Sequence, residues 1–243
     1  VVKKYEKTID RIVFRDSPGP GGYAARNLGA EYACGEFLCF LDADDIWYPN
    51  HLEVFSHAIA SNKADLVFSG FKKQPGDLIR LMDKGEYPRD KILDGAGRNF
   101  YFNTNSICMR KNTFRTIGGF ETDYFRRGAD VLLWLKVIYY SKTIFVTDQI
   151  TSVYFTESSN VVKNPKNLGS HHPVSHGVKE LLMHEKEKDI RKSLKRFCNR
   201  KTIQWISAHR EAGNFPVSLF LDLYYSALTK NELKSLAKYV RNQ

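Results

Sequence analysis

No stretch of this sequence approaches eighteen consecutive apolar residues, so no segment reads as a membrane-spanning helix. The opening VVKKYEKTID has neither the apolar centre nor the small-residue cleavage site of a secretory signal, and the expectation is a cytoplasmic location. Cysteines are few. Cys34, Cys39, Cys108 and Cys198 show no CxxC spacing, and three of them fall in apolar stretches where a thiol behaves as a small hydrophobe, so neither a zinc site nor a disulfide framework is expected. There is no internal repeat and no low-complexity tract. What remains has ordinary globular composition: 243 residues, 42% hydrophobic and 13% aromatic, enough to bury a sizeable core. Positive charge is in excess by ten but is unevenly placed, with 21 Lys/Arg against 20 Asp/Glu in residues 1–160 and 16 against 7 in residues 161–243. The basic residues stand apart from the acidic cluster described next, so charge alone gives no reason to expect a nucleic-acid partner.

That cluster lies in Glu36 to Asp45, EFLCFLDADD, where an unbroken apolar run meets three carboxylates within four positions. Such a run suits a strand covered on both faces, as in a parallel sheet. Carboxylates crowded at the end of a buried strand repel one another and lose solvation, a cost relieved by a cation or a donor-rich ligand. Asp42 and Asp44, one residue apart, can turn toward a shared hard cation such as Mg²⁺ or Mn²⁺. Alternatively, Asp44 or Asp45 caps a helix beginning near Pro49.

Residues 3–15 read as the tail of a helix, KKYEKTID, and a short strand, RIVF; DSPGPGG at 16–22 is then a turn-rich loop. A helix over Tyr23 to Cys34 follows, with Gly35 as its stop. A glycine-rich loop opening a helix can present amides to a phosphate, and Arg26 on the first turn adds a charged fork. Beyond the acids come a helix marked by Leu52, Phe55 and Ile59, a strand at 64–71, a loop over 72–98, a strand at 105–110 and a short helix stopped by Gly118 and Gly119. An apolar helix starts near Asp130, which serves either as its N-cap or as a carboxylate able to take a proton from a substrate hydroxyl. Strands at 143–148 and 152–155 complete an α/β fold built on a mostly parallel sheet. From about 161 the pattern is helical, with stripes at Ile190, Leu194, Phe197 and at Leu233, Leu236, Ala237, Val240, the second after a capping box TKNE from Thr229. The division expected is 1–160 and a basic helical region, 161–243. His171, His172 and His176 fall in the linker, where Pro173 argues for a solvated loop over a metal-binding helix.

These segments in this order resemble the inverting family 2 glycosyltransferases of GT-A fold: GGYAARNLGAEYACGEFLCFLDADD at 21–45, NSICMRKNTFRTIGGFETDYFRRGADVLLWLKV at 105–137 and, more loosely, SVYFTESSN at 152–160. The resemblance implies a GT-A-like sheet flanked by helices and transfer of a sugar from a nucleotide-diphosphate donor to an acceptor hydroxyl, in surface polysaccharide or glycolipid synthesis. By it, Asp42 and Asp44 fill the Asp-x-Asp motif, Asp42 toward the nucleotide and Asp44 toward Mn²⁺ or Mg²⁺, Arg26 contacts the donor, and Asp130 is the catalytic base. The implied partners are a nucleotide sugar and a saccharide or lipid-linked acceptor; the basic C-terminal region reads by default as a solvated face, with peripheral contact at the inner face of a membrane as the alternative. Three departures stand out. Ala129 replaces a family glutamate before Asp130, Tyr154-Phe155-Thr156 lacks the family histidine that would supply a third metal ligand, and the family's N-terminal nucleotide-binding strands, about 50 residues, are expected upstream of Val1. A non-catalytic GT-A-like binding domain and a sugar nucleotidyltransferase are the alternative readings.

Overall fold

The computed structural model describes residues 21–79, 82–98, 103–156, 164–214 and 217–241. The helix tail and strand expected over 3–15, and most of the loop at 16–22, lie outside them. The strands are β1 (Phe37–Cys39), β2 (Ile46–Trp47), β3 (Leu66–Gln74), β4 (Leu78–Ile79), β5 (Gly85–Glu86), β6 (Ile107–Arg110) and β7 (Ile144–Phe155). They form one sheet in the order β1-β6-β3-β7-β2, with β4 beside β3 and β5 beside β7.

The α/β architecture is as expected, but the sheet is mixed. Among the described residues only β3 and β7 run parallel, and the other five pairings are antiparallel. Apolar periodicity reports how a strand is covered, and the direction of its neighbour leaves no mark on it. β1 shows this well. Leu38 and Phe40 enter the main core, Phe37 and Cys39 pack toward Phe55 and Ala58 of the helix α2 (His51–Asn62), and the strand is covered on both faces while antiparallel to β6. β7 is one strand where two were expected; its pairing with β3 shifts register around Gly70, so the break in the pattern at 149–151 is an irregularity inside a strand.

Helices α1 (Gly22–Tyr32), α3 (Arg89–Arg98), α4 (Lys111–Thr116), α5 (Ala129–Tyr140), α6 (Pro173–His184) and α7 (Lys188–Glu211) surround this sheet, and α8 (Lys230–Arg241) follows. The main core joins Leu66, Phe68 and Met109 of the sheet to Leu133, Leu135 and Ile138 of α5, and continues through Val174, Val178 and Leu181 of α6 to Leu194 and Phe197 of α7. α5 is buried on nearly every side, as its apolar sequence requires. Each such Leu, Val or Phe contributes roughly 1.5–3 kcal/mol relative to exposure. α3 falls in the expected loop. With only Ile92, Leu93 and Ala96 apolar it has a weak pattern of its own, and it is held by α7, where Arg200 donates to the Asp94 carbonyl at 2.8 Å.

A smaller cluster, Trp205, Ile206, Leu219, Leu223 and Leu236, ties α8 to α7. The capping box at Thr229 is formed on both sides: Thr229 N–H donates to Glu232 Oε2 at 2.7 Å and Glu232 N–H to Thr229 Oγ1 at 3.3 Å. The stripe after it is only partly consumed, since Leu236 is buried but Leu233 is 47% exposed; the Val240 side chain lies outside the described residues. The solvated loop expected around the histidines is instead a helix start. Pro173 occupies the first turn of α6, and His172 Nδ1 accepts the Val174 N–H at 3.1 Å as its N-cap. No helix among the described residues is long and apolar enough to cross a membrane.

Candidate active site

The acidic segment leaves β1 and turns back at once, Asp45 N–H reaching the Asp42 carbonyl at 3.1 Å. This turn gathers Asp42, Asp44 and Asp45, each offering a carboxylate oxygen within 4.8 Å of the others. Asp45 is only 9% exposed and does not cap α2, whose N-cap is Asn50. One Asp45 oxygen accepts the Phe155 N–H at 2.8 Å, at the end of β7, and the other accepts from the Asn105 side-chain amide. Burial pushes the Asp45 carboxyl up to about 6, the Phe155 and Asn105 donors restrain it, and the charges of Asp42 and Asp44 add to the rise.

Asn105 is the hinge of this arrangement, and nothing in the sequence singled it out. Its Oδ1 accepts the Asp42 N–H at 2.7 Å, its carbonyl accepts Trp47 Nε1–H at 3.1 Å, and its amide nitrogen holds Asp45. It is fixed by a tight turn at Thr104–Ser106, capped by Asn103 ahead of β6.

Arg26 projects from α1 onto Asp42. Its Nε donates to Asp42 Oδ1 at 3.1 Å, and a second nitrogen bonds the same oxygen. The guanidinium lies 5.7 Å from the Tyr23 ring centroid and 5.4 Å from that of Phe120, two rings stacked at 5.5 Å. α1 is itself locked to the following loop by Asn27, whose amide donates to the Phe120 carbonyl and accepts the Phe120 N–H, both at 2.8 Å. The loop comes this close because Gly119, at φ +71°, has no side chain; a Cβ there would lie 2.6 Å from Asn27 Oδ1.

Asp130 stands in the first turn of α5. The N-cap is Gly128, in the left-handed region, with no side-chain cap bond, so Asp130 is not the cap that the local sequence allowed. Its Oδ1 accepts from the Tyr23 hydroxyl at 3.3 Å. Burial raises its pKa, against the Val131 amide and the Arg26 charge. Burial also lowers the pKa values of two nearby cations: Arg127, and Lys201 of α7, which falls to about 8; the Asp130 charge opposes both shifts.

The four expected site residues therefore share one region. Arg26 bonds Asp42 and acts on Asp130. The Tyr154 hydroxyl, on β7, has its pKa raised first by burial and then by Asp45, Asp130, Asp42 and Asp44 together. A hard divalent cation suits the cluster, since every donor is a carboxylate oxygen and Asp44 is exposed. Asp45 is committed through both oxygens and Asp42 through one, leaving Asp44 and the second Asp42 oxygen as the ligand atoms not engaged among the described residues. Tyr23, Asn105, Tyr154 and Lys201 were missed because their roles arise from long-range pairing; the only signal was that the first three lie inside the segments carrying the family resemblance.

Comparison with known proteins gives this arrangement a context. The chain is 24% identical over 165 residues to an uncharacterized glycosyltransferase of Rickettsia felis, covering 65% of itself and 26% of that protein, so it spans about a quarter of the length of the first curated relatives it matches. It is 36% identical over 120 residues to the Escherichia coli UDP-Glc:alpha-D-GlcNAc-diphosphoundecaprenol beta-1,3-glucosyltransferase WfgD, covering 49% of this chain and 44% of the relative. Its fold matches S. aureus TarS 1–349, solved in complex with UDP-GlcNAc, with a TM-score of 0.71 at 18% identity over 99% of this chain and 75% of the other. The model of the family described as Glycosyl transferase family 2 matches residues 1–122, half of the sequence, and the acidic turn, Arg26 and the Gly119 loop all lie within that match; the chain belongs to this family.

Proposed function

We propose that this chain transfers a sugar from a nucleoside-diphosphate donor to an acceptor hydroxyl with inversion, in the synthesis of a surface polysaccharide or glycolipid. The observation that carries the reading is the chain of contacts linking two separate carboxylate sets: Arg26 bonds Asp42 of the acidic turn and lies 5.7 Å from the ring centroid of Tyr23, whose hydroxyl donates to Asp130 at 3.3 Å. As the acceptor oxygen bonds to the anomeric carbon, its proton passes to Asp130. The bond from that carbon to the diphosphate breaks with its electron pair, and a single displacement inverts the centre. The raised pKa of Asp130 makes it a stronger base than an exposed aspartate, and the Tyr23 hydroxyl orients it. Arg26 sets positive charge beside the donor diphosphate. Asp42 and Asp44 would hold Mn²⁺ or Mg²⁺, which when bound neutralises charge on the departing diphosphate.

The acceptor in this reading is a saccharide or lipid-linked saccharide. Residues 161–243 form a basic helical region that would meet the cytoplasmic face of an anionic membrane. Its support is the charge excess of 16 against 7 and the incompletely buried stripe of α8.

The test is nucleotide binding and sugar release with UDP-Glc, UDP-GlcNAc and GDP-Man in Mn²⁺, for the native sequence and Asp44→Ala. One donor should be turned over, and Asp44→Ala should lose Mn²⁺-dependent nucleotide affinity while keeping a cooperative urea transition. Nucleotide affinity unchanged in the variant by calorimetry refutes the metal assignment. Binding without sugar release from any donor would favour a non-catalytic binding domain.

A further inference from the structure

A cleft of about 200 Å³ opens between the loop preceding α5, the loop preceding α6 and Trp205 of α7, and the Asp130 charge acts on Arg127 in its lining. Arg126, Arg127, Lys166 and His171 line it with the aromatic rings of Tyr124 and Trp205, and among the described residues no carboxylate lines it. Arg127 is seated with its guanidinium 5.1 Å from the Trp205 ring centroid. Trp205 is fixed in turn by donating to the Gly169 carbonyl at 2.9 Å. His171 Nδ1 lies 2.6 Å from Asp222 Oδ2, and Asp222 also holds Lys179 at 2.9 Å, so this acid is engaged at the back of the cleft. Among the described residues, Asp130 and Glu211 act on Arg127 from outside the lining, so this guanidinium is already partnered. Arg126 and Lys166 are exposed, with their charges free to meet a ligand.

The exposed Arg126 and Lys166 repel each other across one small cleft, and an anion between them relieves the repulsion with charge-assisted hydrogen bonds. The cations of the cleft come from the loops preceding α5 and α6, while the donor-facing Arg26 and Asp42 come from α1 and the turn after β1. Resting on the transfer reading above, we infer that this cleft binds a phosphate or diphosphate ester carried by the acceptor and thereby presents the acceptor hydroxyl to Asp130. Tyr124, 81% exposed, supplies an apolar surface for the group attached to the phosphate.

The probes are inorganic pyrophosphate and farnesyl diphosphate, titrated calorimetrically in EDTA so that the acidic turn contributes no metal-mediated binding. Arg126→Ala/Lys166→Ala is compared with the native sequence, and Lys166→Glu is a second variant; both positions are exposed, and circular dichroism checks the fold. The double variant should bind pyrophosphate about ten- to a hundredfold more weakly, as expected for two lost charge-assisted contacts. Its affinity for UDP with Mn²⁺ should stay within about twofold, and pyrophosphate should displace farnesyl diphosphate. Equal pyrophosphate affinity in native and variant proteins overturns the pocket. An equal loss of UDP affinity overturns its assignment to the acceptor, as does farnesyl diphosphate binding that pyrophosphate cannot displace. Pyrophosphate binding that still depends on Arg126 and Lys166, with no sugar nucleotide turned over, sinks the transfer reading while supporting the anion site.

Discussion

Acidification should weaken the junction beneath Asp130 through one imidazole. His172 is 4% exposed, packs edge-on against Trp205 with ring centroids 4.7 Å apart, and caps α6 through an unprotonated Nδ1. Burial, then the charges of Lys201 and Arg127, push its pKa down to about 3. A proton on Nδ1 would set one N–H against the Val174 N–H and lodge a third positive charge beside two others. The folded value lies below the ordinary value of about 6.5, so between the two it is the unfolded chain that takes the proton. The stability at stake is fully present above pH 6.5 and is lost as pH falls toward 3. At about 1.4 kcal/mol per pH unit, roughly 2 kcal/mol is gone by pH 5 relative to pH 7. Urea unfolding at both pH values, for the native sequence and His172→Asn, isolates this term, since asparagine keeps a capping oxygen but does not titrate. The variant should be less stable at pH 7 by about 1–3 kcal/mol through lost packing, yet its decline from pH 7 to 5 should be smaller by about 2 kcal/mol. Parallel declines in the two proteins would refute the reasoning.

Asp130→Asn keeps the shape of the side chain and removes its basicity, so turnover should fall by roughly 10²–10⁴ with donor affinity little changed; a near-native rate in a steady-state assay would reduce Asp130 to a structural role. Gly119→Ala should cost about 2–4 kcal/mol in urea unfolding, because a left-handed backbone then carries a Cβ pressed against Asn27 Oδ1 and the Phe114 ring. Sedimentation with vesicles should show binding that grows with anionic lipid content and fades at high salt, each Lys or Arg near the surface contributing about 1 kcal/mol. Indifference to lipid charge at low salt would remove the membrane role.

Much of this architecture is legible in the sequence wherever a residue's neighbours on the chain are also its neighbours in space. The apolar circumference of α5, the stop at Gly118 and Gly119 and the Thr229–Glu232 box are of this kind, whereas α1 ends at Tyr32 under Ala33, ahead of the stop expected at Gly35. The acidic turn is visible for the same reason, its three acids lying within four positions. Legibility ends where a partner is far along the chain. α3 carries too few apolar residues to announce itself and depends on α7, and Pro173 looks like a helix breaker until it is seen in the first turn. The direction of β6 and the part played by Asn105 are set by contacts that no local pattern encodes.

The same distances bear on the order of folding. The bonds that hold the acidic turn in place join Asp45 to Asn105 and to Phe155, 60 and 110 positions away, and Tyr23 reaches Asp130 across 107. Each requires a long loop to close before anything is gained from the contact, so these pairings belong to the slow, late part of folding, after helices such as α5 and α7 have had every opportunity to form. A nascent or partly unfolded chain thus carries all four carboxylates without the arrangement that joins them until the sheet is complete.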